Sequence, residues 1–266
     1  MFDVIAPRYD FINRALALNL DMSWRHRLVA TVVGPNGELF QKGGNNVQIL
    51  DLATGTADVA ILLGKQAEKY SKKQVVLGLD PSQNMLNVGQ NKINDAHLSS
   101  VIRLQVGDAR KLELQSDTFD AATMSFGIRN VPEKEQALCE IHRVLKKGSE
   151  DDTKLAIMEF SEPDAESGIM GSLARVFIRH VVPSLGAMLS GAPKEYMHLQ
   201  KSIKEFPSPA EFVALMEGLK CPVVNGEGEM EVDVFGSFRV KEVVHLNFRS
   251  VQIYVATPIL KKMVTE

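Results

Sequence analysis

Short apolar runs alternate with longer amphipathic segments between residues 47 and 163. Five runs have the length and composition of strands: 47–52, 74–80, 101–109, 118–126 and 154–163. Three segments between them place apolar residues at helical spacing: 57–70, 81–93 and 132–148, the last expected to stop at Gly148. Near-continuous apolar runs are typical of strands buried on both faces of a parallel sheet. The pattern therefore predicts a doubly wound, mostly parallel α/β fold.

The two ends of the chain and one internal segment have a different pattern. Residues 1–32 are expected to be helical, and a helix is predicted to begin at Ser208 or Pro209. Residues 229–258 have the pattern of hairpin strands. We therefore expect one domain over residues 1–266 with four parts: an N-terminal helical cap (1–40), an α/β core (45–161), a helical insertion (162–207) and a C-terminal helix with hairpin strands (208–266).

Composition narrows the classes of partner. The chain has 266 residues, is 45% hydrophobic and carries a formal net charge of -3, which argues against a nucleic-acid partner. It has no apolar run long enough to span a membrane. Cys139 and Cys221 have no paired spacing, so we expect neither a zinc site nor a disulfide, and the pattern predicts no metal.

The segment LDLATGTADVA, residues 50–60, predicts a ligand site. In open α/β sheets, ligands bind beyond the carboxyl ends of the strands, and this turn follows the first strand. Gly55 allows the backbone to approach a ligand closely, while Asp51 would repel a pyrophosphate and attract a cation. Because the three-glycine dinucleotide signature is absent, a phosphate-free ligand that bears a sulfonium group fits better than NAD.

Three further strand ends carry residues suited to such a ligand. Asp80 can accept hydrogen bonds from ribose hydroxyls. Asp108 and the Ala109 backbone are placed to bind an adenine amino group, and Ser125 is expected beneath the ligand. Any one of these acids could instead cap the next helix. Their recurrence at successive strand ends favours one shared binding site.

Several motifs resemble those of a known family. LDLATGTADVA, GLDPSQNML, GDARKL and the segment that begins FDAATMSFGIRN are similar to motifs of class I S-adenosylmethionine-dependent methyltransferases. MFDVIAPRYDFIN, IMEFSEP and EYMHLQKSIKEFPSPAEF narrow the resemblance to the ubiquinone/menaquinone biosynthesis C-methyltransferases. The resemblance covers residues 1 to about 219 and resumes at LNFRSVQIYVATP. It implies a Rossmann-like, seven-stranded sheet and S-adenosylmethionine as methyl donor.

The resemblance also implies roles for individual residues. It matches five positions to S-adenosylmethionine binding: Thr56, Asp80, Asp108, Ala109 and Ser125. It departs from the family at Thr54 and Ala57, where glycine is common. That substitution should stiffen the turn without preventing binding.

The implied reaction is methylation of a ring carbon of a polyprenylated benzoquinol or naphthoquinol. Ionising the phenol increases electron density on the ortho carbon, so a group that stabilises the phenolate is required. Arg129 is the candidate catalytic residue, acting through an oriented water because a guanidinium stays protonated. Arg129 could instead cap a helix or pair with a carboxylate. Asn130 could orient a quinol oxygen or simply form the turn.

Two other side chains are candidate substrate contacts. Tyr9 could fold over the cofactor or pack within its helix, and His198 lies in a segment that the resemblance places near the substrate. His97 and His142 are expected to be solvated. Residues 168–191 are apolar but include Arg175 and Arg179, which predicts either a helix pair packed on the sheet or a lid that contacts isoprenoid and membrane.

Alternatives from other classes remain open at this point. One is an O- or N-methyltransferase of another small molecule, and another is a non-catalytic scaffold subunit of a quinone-synthesis complex. A homodimer is a further expected assembly. We expect a location on the matrix side of the mitochondrial inner membrane if the source is eukaryotic, with a transit peptide absent from this chain, or else a plastid or the bacterial cytoplasm.

Overall fold

The computed structural model describes residues 14, 17, 19–42, 46–148, 153–161, 201–224 and 230–262. Eight strands form one sheet in this part of the chain: β1 (Ile49–Leu52), β2 (Val76–Asp80), β3 (Ile102–Val106), β4 (Ala121–Ser125), β5 (Lys154–Phe160), β6 (Cys221–Val224), β7 (Met230–Leu246) and β8 (Val251–Lys262). Their order across the sheet is β3-β2-β1-β4-β5-β8-β7-β6.

Among the α-helices that accompany these strands are α1 (Leu20–Val33), α2 (Glu38–Lys42), α3 (Asp58–Lys69), α4 (Gln83–Asp95), α5 (Lys134–Val144) and α6 (Pro209–Gly218). The start of α6 follows directly from the sequence, because Ser208 and Glu211 form a reciprocal capping box in front of Pro209. None of the described helices is long and apolar enough to cross a membrane.

The first five strands are parallel and set the position of the site. Ile49 of β1 pairs with Val76 of β2 on one side and with Ala121 of β4 on the other. Their carboxyl ends therefore lie along one edge of the sheet, as in the doubly wound arrangement predicted from the apolar runs. The predicted hairpin is also present, since β7 and β8 are antiparallel neighbours and β8 pairs with β5.

Buried apolar side chains form two clusters. One includes residues of α1, α3 and α4 together with sheet residues, and the other includes residues of α5 and α6 together with sheet residues. Trp24 of the expected N-terminal cap belongs to the first cluster and is 6% exposed. Each large side chain that is fully buried in this way contributes roughly 1.5–3 kcal/mol of transfer free energy.

The strand count and the cysteine prediction are both wrong. The sheet has eight strands where seven were expected, because Cys221–Val224 adds an edge strand to β7. Cys221 is joined by a disulfide to Cys139 of α5, 82 residues earlier in the chain. The pairing was missed because the two residues become neighbours only when α5 packs beside β6.

Two local predictions on α5 are also corrected. The helix ends at Val144 rather than at Gly148, since Leu145 leaves the helix and forms a parallel bridge with Phe119. His142 is 1% exposed rather than solvated, and its Nε2 contacts the carbonyl oxygen of Ile259 at 3.1 Å. Burial lowers the pKa of this imidazole to about 4, so it is neutral at pH 7.

Candidate functional site

A cavity of about 260 Å³ lies at the carboxyl edge of the parallel strands. Its wall comes from the segments that follow β1, β2, β3 and β4, which is the arrangement expected for a ligand site in this fold. Six residues predicted from the sequence line it: Gly55, Asp80, Asp108, Ala109, Ser125 and Asn130.

The turn after β1 leaves room for a ligand at Gly55. This glycine has φ +54°, and a Cβ built on it would meet nothing within 4 Å among the described residues. Its N–H donates to Asp80 Oδ2 at 2.9 Å, and the Ser82 N–H donates to Asp80 Oδ1 at the same distance. The Asp80 carboxylate is thus fixed between the turn and the start of α4.

The threonine that replaces a family glycine in this turn is accommodated by a neighbouring glycine. A Cβ on Gly78 would lie 2.9 Å from Thr54 Oγ1, so the absence of a side chain there provides the space. Ala57 takes the left-handed conformation at φ 66°, which is unusual for alanine. The turn therefore keeps the backbone shape that glycine would favour.

Asp51 lies behind the cavity wall and not in it. It is 1% exposed, and its carboxylate accepts hydrogen bonds from Thr54 Oγ1 at 2.6 Å and from Thr123 Oγ1 at 2.7 Å. Burial raises the pKa of this carboxyl to about 6. Both oxygens accept from neighbouring strand and turn hydroxyls, so the role of Asp51 at the ligand stays a prediction.

Thr56 is also placed away from the cavity. It is 3% exposed, and its Oγ1 accepts a hydrogen bond from Lys92 Nζ at 3.2 Å. Lys92 in turn forms an ion pair with Asp58 at the start of α3 at 2.5 Å. The structure therefore assigns the Thr56 side chain to the contact between α3 and α4, where the sequence had placed it at the ligand.

Arg110 holds the Asp108 side chain on the far wall of the cavity. Its Nε lies 3.1 Å from both Asp108 oxygens, its Nη2 lies 2.7 Å from Oδ2, and its Nη1 pairs with Glu133 at 2.7 Å. Hydrogen bonds from Arg110 keep the pKa of Asp108 below its usual value. Arg110 itself lines the cavity and was not predicted from the sequence.

Ser125 ends β4 at the floor of the cavity. Its Oγ is buried and has no hydrogen-bond partner among the described residues. An unpartnered hydroxyl in a cavity wall is costly unless a ligand or water binds it. The next residue, Phe126, has φ 56°, a conformation that bulky side chains rarely adopt, and it also lines the cavity. Such backbone strain is often found at functional sites.

Arg129 does not reach the cavity wall and is 9% exposed. It lies in a 3-10 turn (Ile128–Asn130), and its Nη1 donates to Glu159 Oε1 and to the Phe126 carbonyl oxygen, both at 2.6 Å. The carboxylate partner that the sequence left open as the alternative role is therefore present. The neighbouring Asn130 lines the cavity.

Glu159 is a further buried group that the sequence gave no reason to single out. It lies inside the apolar run of β5 and meets Arg129 only across 30 residues of chain. Arg110, by contrast, follows Asp108 by two residues, so the acid and base of GDARKL could have been read as a pair. The predicted substrate contacts Tyr9 and His198 lie outside the described residues.

The donor set suits S-adenosylmethionine. Asp80 offers carboxylate oxygens, Ser125 offers an unpartnered hydroxyl, and the turn at Gly55 leaves open space that a Cβ would narrow. No group of three or more His, Cys, Asp or Glu side chains in the described ranges could hold a metal ion.

Sequence comparison identifies a family whose match includes all the residues that line this cavity. The model of the ubiE/COQ5 methyltransferase family matches residues 1–225. The chain is 36% identical to the ubiquinone/menaquinone biosynthesis C-methyltransferase UbiE of Geotalea uraniireducens over 219 residues, 82% of this chain and 85% of that protein. It is also 36% identical to the demethylmenaquinone methyltransferase of Deinococcus radiodurans over 216 residues, 81% of each chain.

Structural comparison supports the fold independently. A solved S-adenosylmethionine-dependent methyltransferase from Aquifex aeolicus superposes with a TM-score of 0.50 at 18% identity, covering 88% of this chain and 97% of that one. Since this identity is low, the likeness bears on the fold alone. With the family model covering most of its length, the chain belongs to the ubiE/COQ5 methyltransferase family, and the family predicted from the sequence motifs is confirmed.

Proposed function

We propose that this protein transfers the methyl group of S-adenosylmethionine to a ring carbon of a polyprenylated benzoquinol or naphthoquinol. The observation that carries the proposal is the turn after β4. In this turn Asn130 lines the cavity, and the buried Arg129 donates to the carbonyl oxygen of Phe126, which also lines it. Membership of the ubiE/COQ5 family supports the same reaction, in ubiquinone and menaquinone biosynthesis.

The chemistry asks for stabilisation of a phenolate. When bound, S-adenosylmethionine supplies an electrophilic methyl group, which a neutral phenol carbon attacks poorly. Arg129 carries a positive charge, and its Nε is buried without a hydrogen-bond partner among the described residues. Because Arg129 lies behind the cavity wall, we propose that its charge stabilises the developing oxyanion through an oriented water. The phenolic proton leaves to water, and the methylated carbon later loses its own proton to restore the aromatic ring.

We propose that other residues hold the cofactor and the quinol in position for methyl transfer. Asp80 and Ser125 both line the cavity, and we propose that Asp80 binds the ribose hydroxyls and that the unpartnered Ser125 Oγ binds the same cofactor. Asn130 lines the wall on the same side as Arg129, which suits an amide that orients a quinol oxygen. Fixing both reactants in attack geometry removes much of the entropic part of the barrier.

The decisive experiment is complementation. A host that lacks its own quinone C-methyltransferase is supplied with this chain, and its quinones are analysed by mass spectrometry. We expect the methylated quinone to return, and a return of the benzenoid or the naphthalenoid product identifies the ring. Turnover of S-adenosylmethionine with a purified short-tailed demethylquinol excludes a non-catalytic scaffold. Methyl transfer to oxygen or nitrogen instead of carbon would overturn the proposal.

We also propose peripheral contact with membranes through residues 168–191, whose apolar residues and two arginines predict either a lid or a helix pair packed on the sheet. This segment lies outside the described residues, so the sequence alone supports the proposal. Wild-type protein should co-sediment with anionic vesicles in a salt-sensitive way, and replacing Arg175 and Arg179 with glutamate should weaken this. Equal sedimentation of both proteins would leave only the packing role.

Assembly and location follow from the substrate class. A quinol with an isoprenoid tail partitions into membranes, so a quinone-synthesis complex or a homodimer at the membrane surface is the assembly we propose. The relatives named above are bacterial and give no support to a mitochondrial or plastid location. We therefore propose the bacterial cytoplasm, and fractionation of the native host tests this.

A further inference from the structure

Glu159 is the most completely buried carboxylate next to the site, and the reaction as proposed does not use it. Its exposed fraction is 0%, and it precedes the last residue of β5. Three donors surround it: the Arg129 N–H at 3.2 Å, Arg129 Nη1 at 2.6 Å and the Phe160 N–H at 2.8 Å. Two of these three donors belong to Arg129.

Aromatic rings hold the guanidinium on its other sides. The guanidinium carbon lies 6.0 Å from the centroid of Phe126 and 5.7 Å from that of Phe160, and these two rings stack at 4.4 Å. Trp24 meets both rings edge to face. The guanidinium is therefore confined in its plane by the rings and in its direction by Glu159.

The ionised form of the buried Glu159 depends on the positive charge of Arg129. Burial raises the pKa of Glu159, and the charge of Arg129 opposes this. On β8, Tyr254 feels the Glu159 charge, which adds to burial in raising the pKa of the phenol. On α1, Arg25 lies 6.0 Å from the Phe126 centroid, on a ring that Arg129 also contacts. A buried charge without its partner is strongly unfavourable, so each member of the pair fixes the other.

We propose that Glu159 is a positioning residue that fixes the guanidinium of Arg129 behind the cavity wall, from where it acts on the quinol oxygen through an oriented water. It binds Nη1 and the backbone N–H, which leaves the buried Nε without a partner among the described residues. This inference rests on the proposed function, because it assigns Glu159 a role only through Arg129. It requires that loss of Glu159 lower kcat while leaving the affinity for S-adenosylmethionine unchanged.

A double-mutant cycle on kcat tests the coupling. Wild type, Glu159→Gln, Arg129→Ala and the double variant are assayed with a short-tailed demethylquinol. We expect Glu159→Gln to lower kcat at least tenfold and to leave the dissociation constant of S-adenosylmethionine within threefold. In the Arg129→Ala background the same change should alter kcat less than threefold, because the group it positions is gone.

The chain offers a matched control on α5. Glu140 pairs with Arg143 at 2.7 Å and accepts the Leu112 N–H at 2.7 Å, and none of these residues lines the cavity. Glu140→Gln removes a hydrogen-bonded ion pair that is more exposed and lies away from the cavity, and it should leave kcat unchanged. The pH profile adds a second contrast. Raising the pH ionises the free quinol and should partly restore the rate of Glu159→Gln and Arg129→Ala, while the profile of Glu140→Gln should follow wild type.

The inference is overturned if the two substitutions lower kcat independently, so that the double variant shows the product of the two single losses. It is also overturned if the loss of kcat in Glu159→Gln follows a loss of cofactor affinity or of melting temperature.

Should Glu159→Gln fail to fold, Glu159→Asp replaces it, since the shorter side chain keeps the charge but withdraws from Arg129. NMR of the Arg129 side chain provides a readout independent of activity. One sharp Nε–H signal in wild type that broadens in the Glu159 variant supports positioning, and an unchanged signal refutes it. Wild type without quinol turnover would instead refute the proposed function.

Discussion

The buried carboxyl of Asp51 makes the stability of this protein depend on pH in a direction opposite to most surface acids. Asp51 is 1% exposed, its described hydrogen-bond partners are the uncharged Thr54 and Thr123, and burial raises its pKa to about 6 from an ordinary value of 3.8. A carboxyl with a raised pKa binds its proton more tightly in the folded state. Its contribution to stability is therefore present at low pH and is lost as the pH rises.

The magnitude follows from the two pKa values. The difference between 3.8 and about 6, at about 1.36 kcal/mol for each tenfold change in proton affinity, corresponds to about 3 kcal/mol. This free energy is lost between about pH 4 and pH 6, and the loss is complete near neutral pH. Asp51→Asn removes the ionisation while keeping an acceptor and a donor for the two threonines. The variant should therefore be more stable than wild type at pH 7 by up to about 3 kcal/mol.

The assay is denaturant unfolding of both proteins at several pH values between 4.5 and 8. The stability difference should grow as the pH rises to about 6 and then stay constant. At pH 7 the melting temperature of Asp51→Asn should exceed that of wild type by on the order of 6 °C. Comparing the two proteins cancels the contributions of all other titrating groups.

A second variant keeps the carboxyl of Asp51 and raises its pKa further. Thr123→Val removes a hydrogen bond that lowers the pKa of Asp51, so the pH window over which stability is lost should extend upward. Parallel stability curves for wild type and Asp51→Asn across this range would show that Asp51 is not buried as described. The reasoning about its charge would then be refuted.

Three further changes have defined outcomes. Asp80→Ala removes a charged acceptor for the ribose, so calorimetry should show the affinity for S-adenosylmethionine falling at least about tenfold, and unchanged affinity in a folded variant would exclude this role. Replacing Cys139 and Cys221 with serine opens a loop closed across 82 residues and should lower the free energy of unfolding by on the order of 4 kcal/mol; if wild type loses nothing on reduction, the disulfide does not stabilise it. Ser208→Ala removes the capping box of α6 and should cost about 1 kcal/mol in denaturant unfolding, whereas an unchanged midpoint would mean that the cap contributes nothing.

The parallel half of the sheet could be predicted because its signal is local. Runs such as 74–80 are apolar on both faces, and Asp80 marks where that strand ends. The eighth strand could not be found in this way. CPVV is only four residues long and becomes a strand by pairing with β7, and its first residue is linked to Cys139 on a helix far away in sequence. Both facts are properties of tertiary packing.

In the candidate site, too, the residues placed by local sequence signals could be predicted, and those placed by tertiary packing could not. Asp80, Asp108 and Ser125 were predicted because the carboxyl ends of parallel strands meet at one edge. The side chain of Asp51 lies on the same face of the sheet as its register partner Thr123, which binds it, and a contact with the ligand stays a prediction. Glu159 was missed because the role proposed for it depends on its contact with Arg129. The sequence does not show where the guanidinium of Arg129 lies.

The acids at this edge are neutralised unequally, and the difference bears on which ligand it accepts. Arg110 pairs with Asp108, and Arg129 pairs with Glu159, so two of the carboxylates have cationic partners. Asp51 has only hydroxyl groups as described side-chain partners and lies close enough to Asp80 for the charge of Asp80 to add to the rise in its pKa. At neutral pH the ionised Asp51 therefore adds negative potential behind the turn at Gly55, which favours a sulfonium cation and disfavours a pyrophosphate. Because this potential comes from the same ionisation that destabilises the fold, Asp51→Asn should bind S-adenosylmethionine more weakly while unfolding less readily.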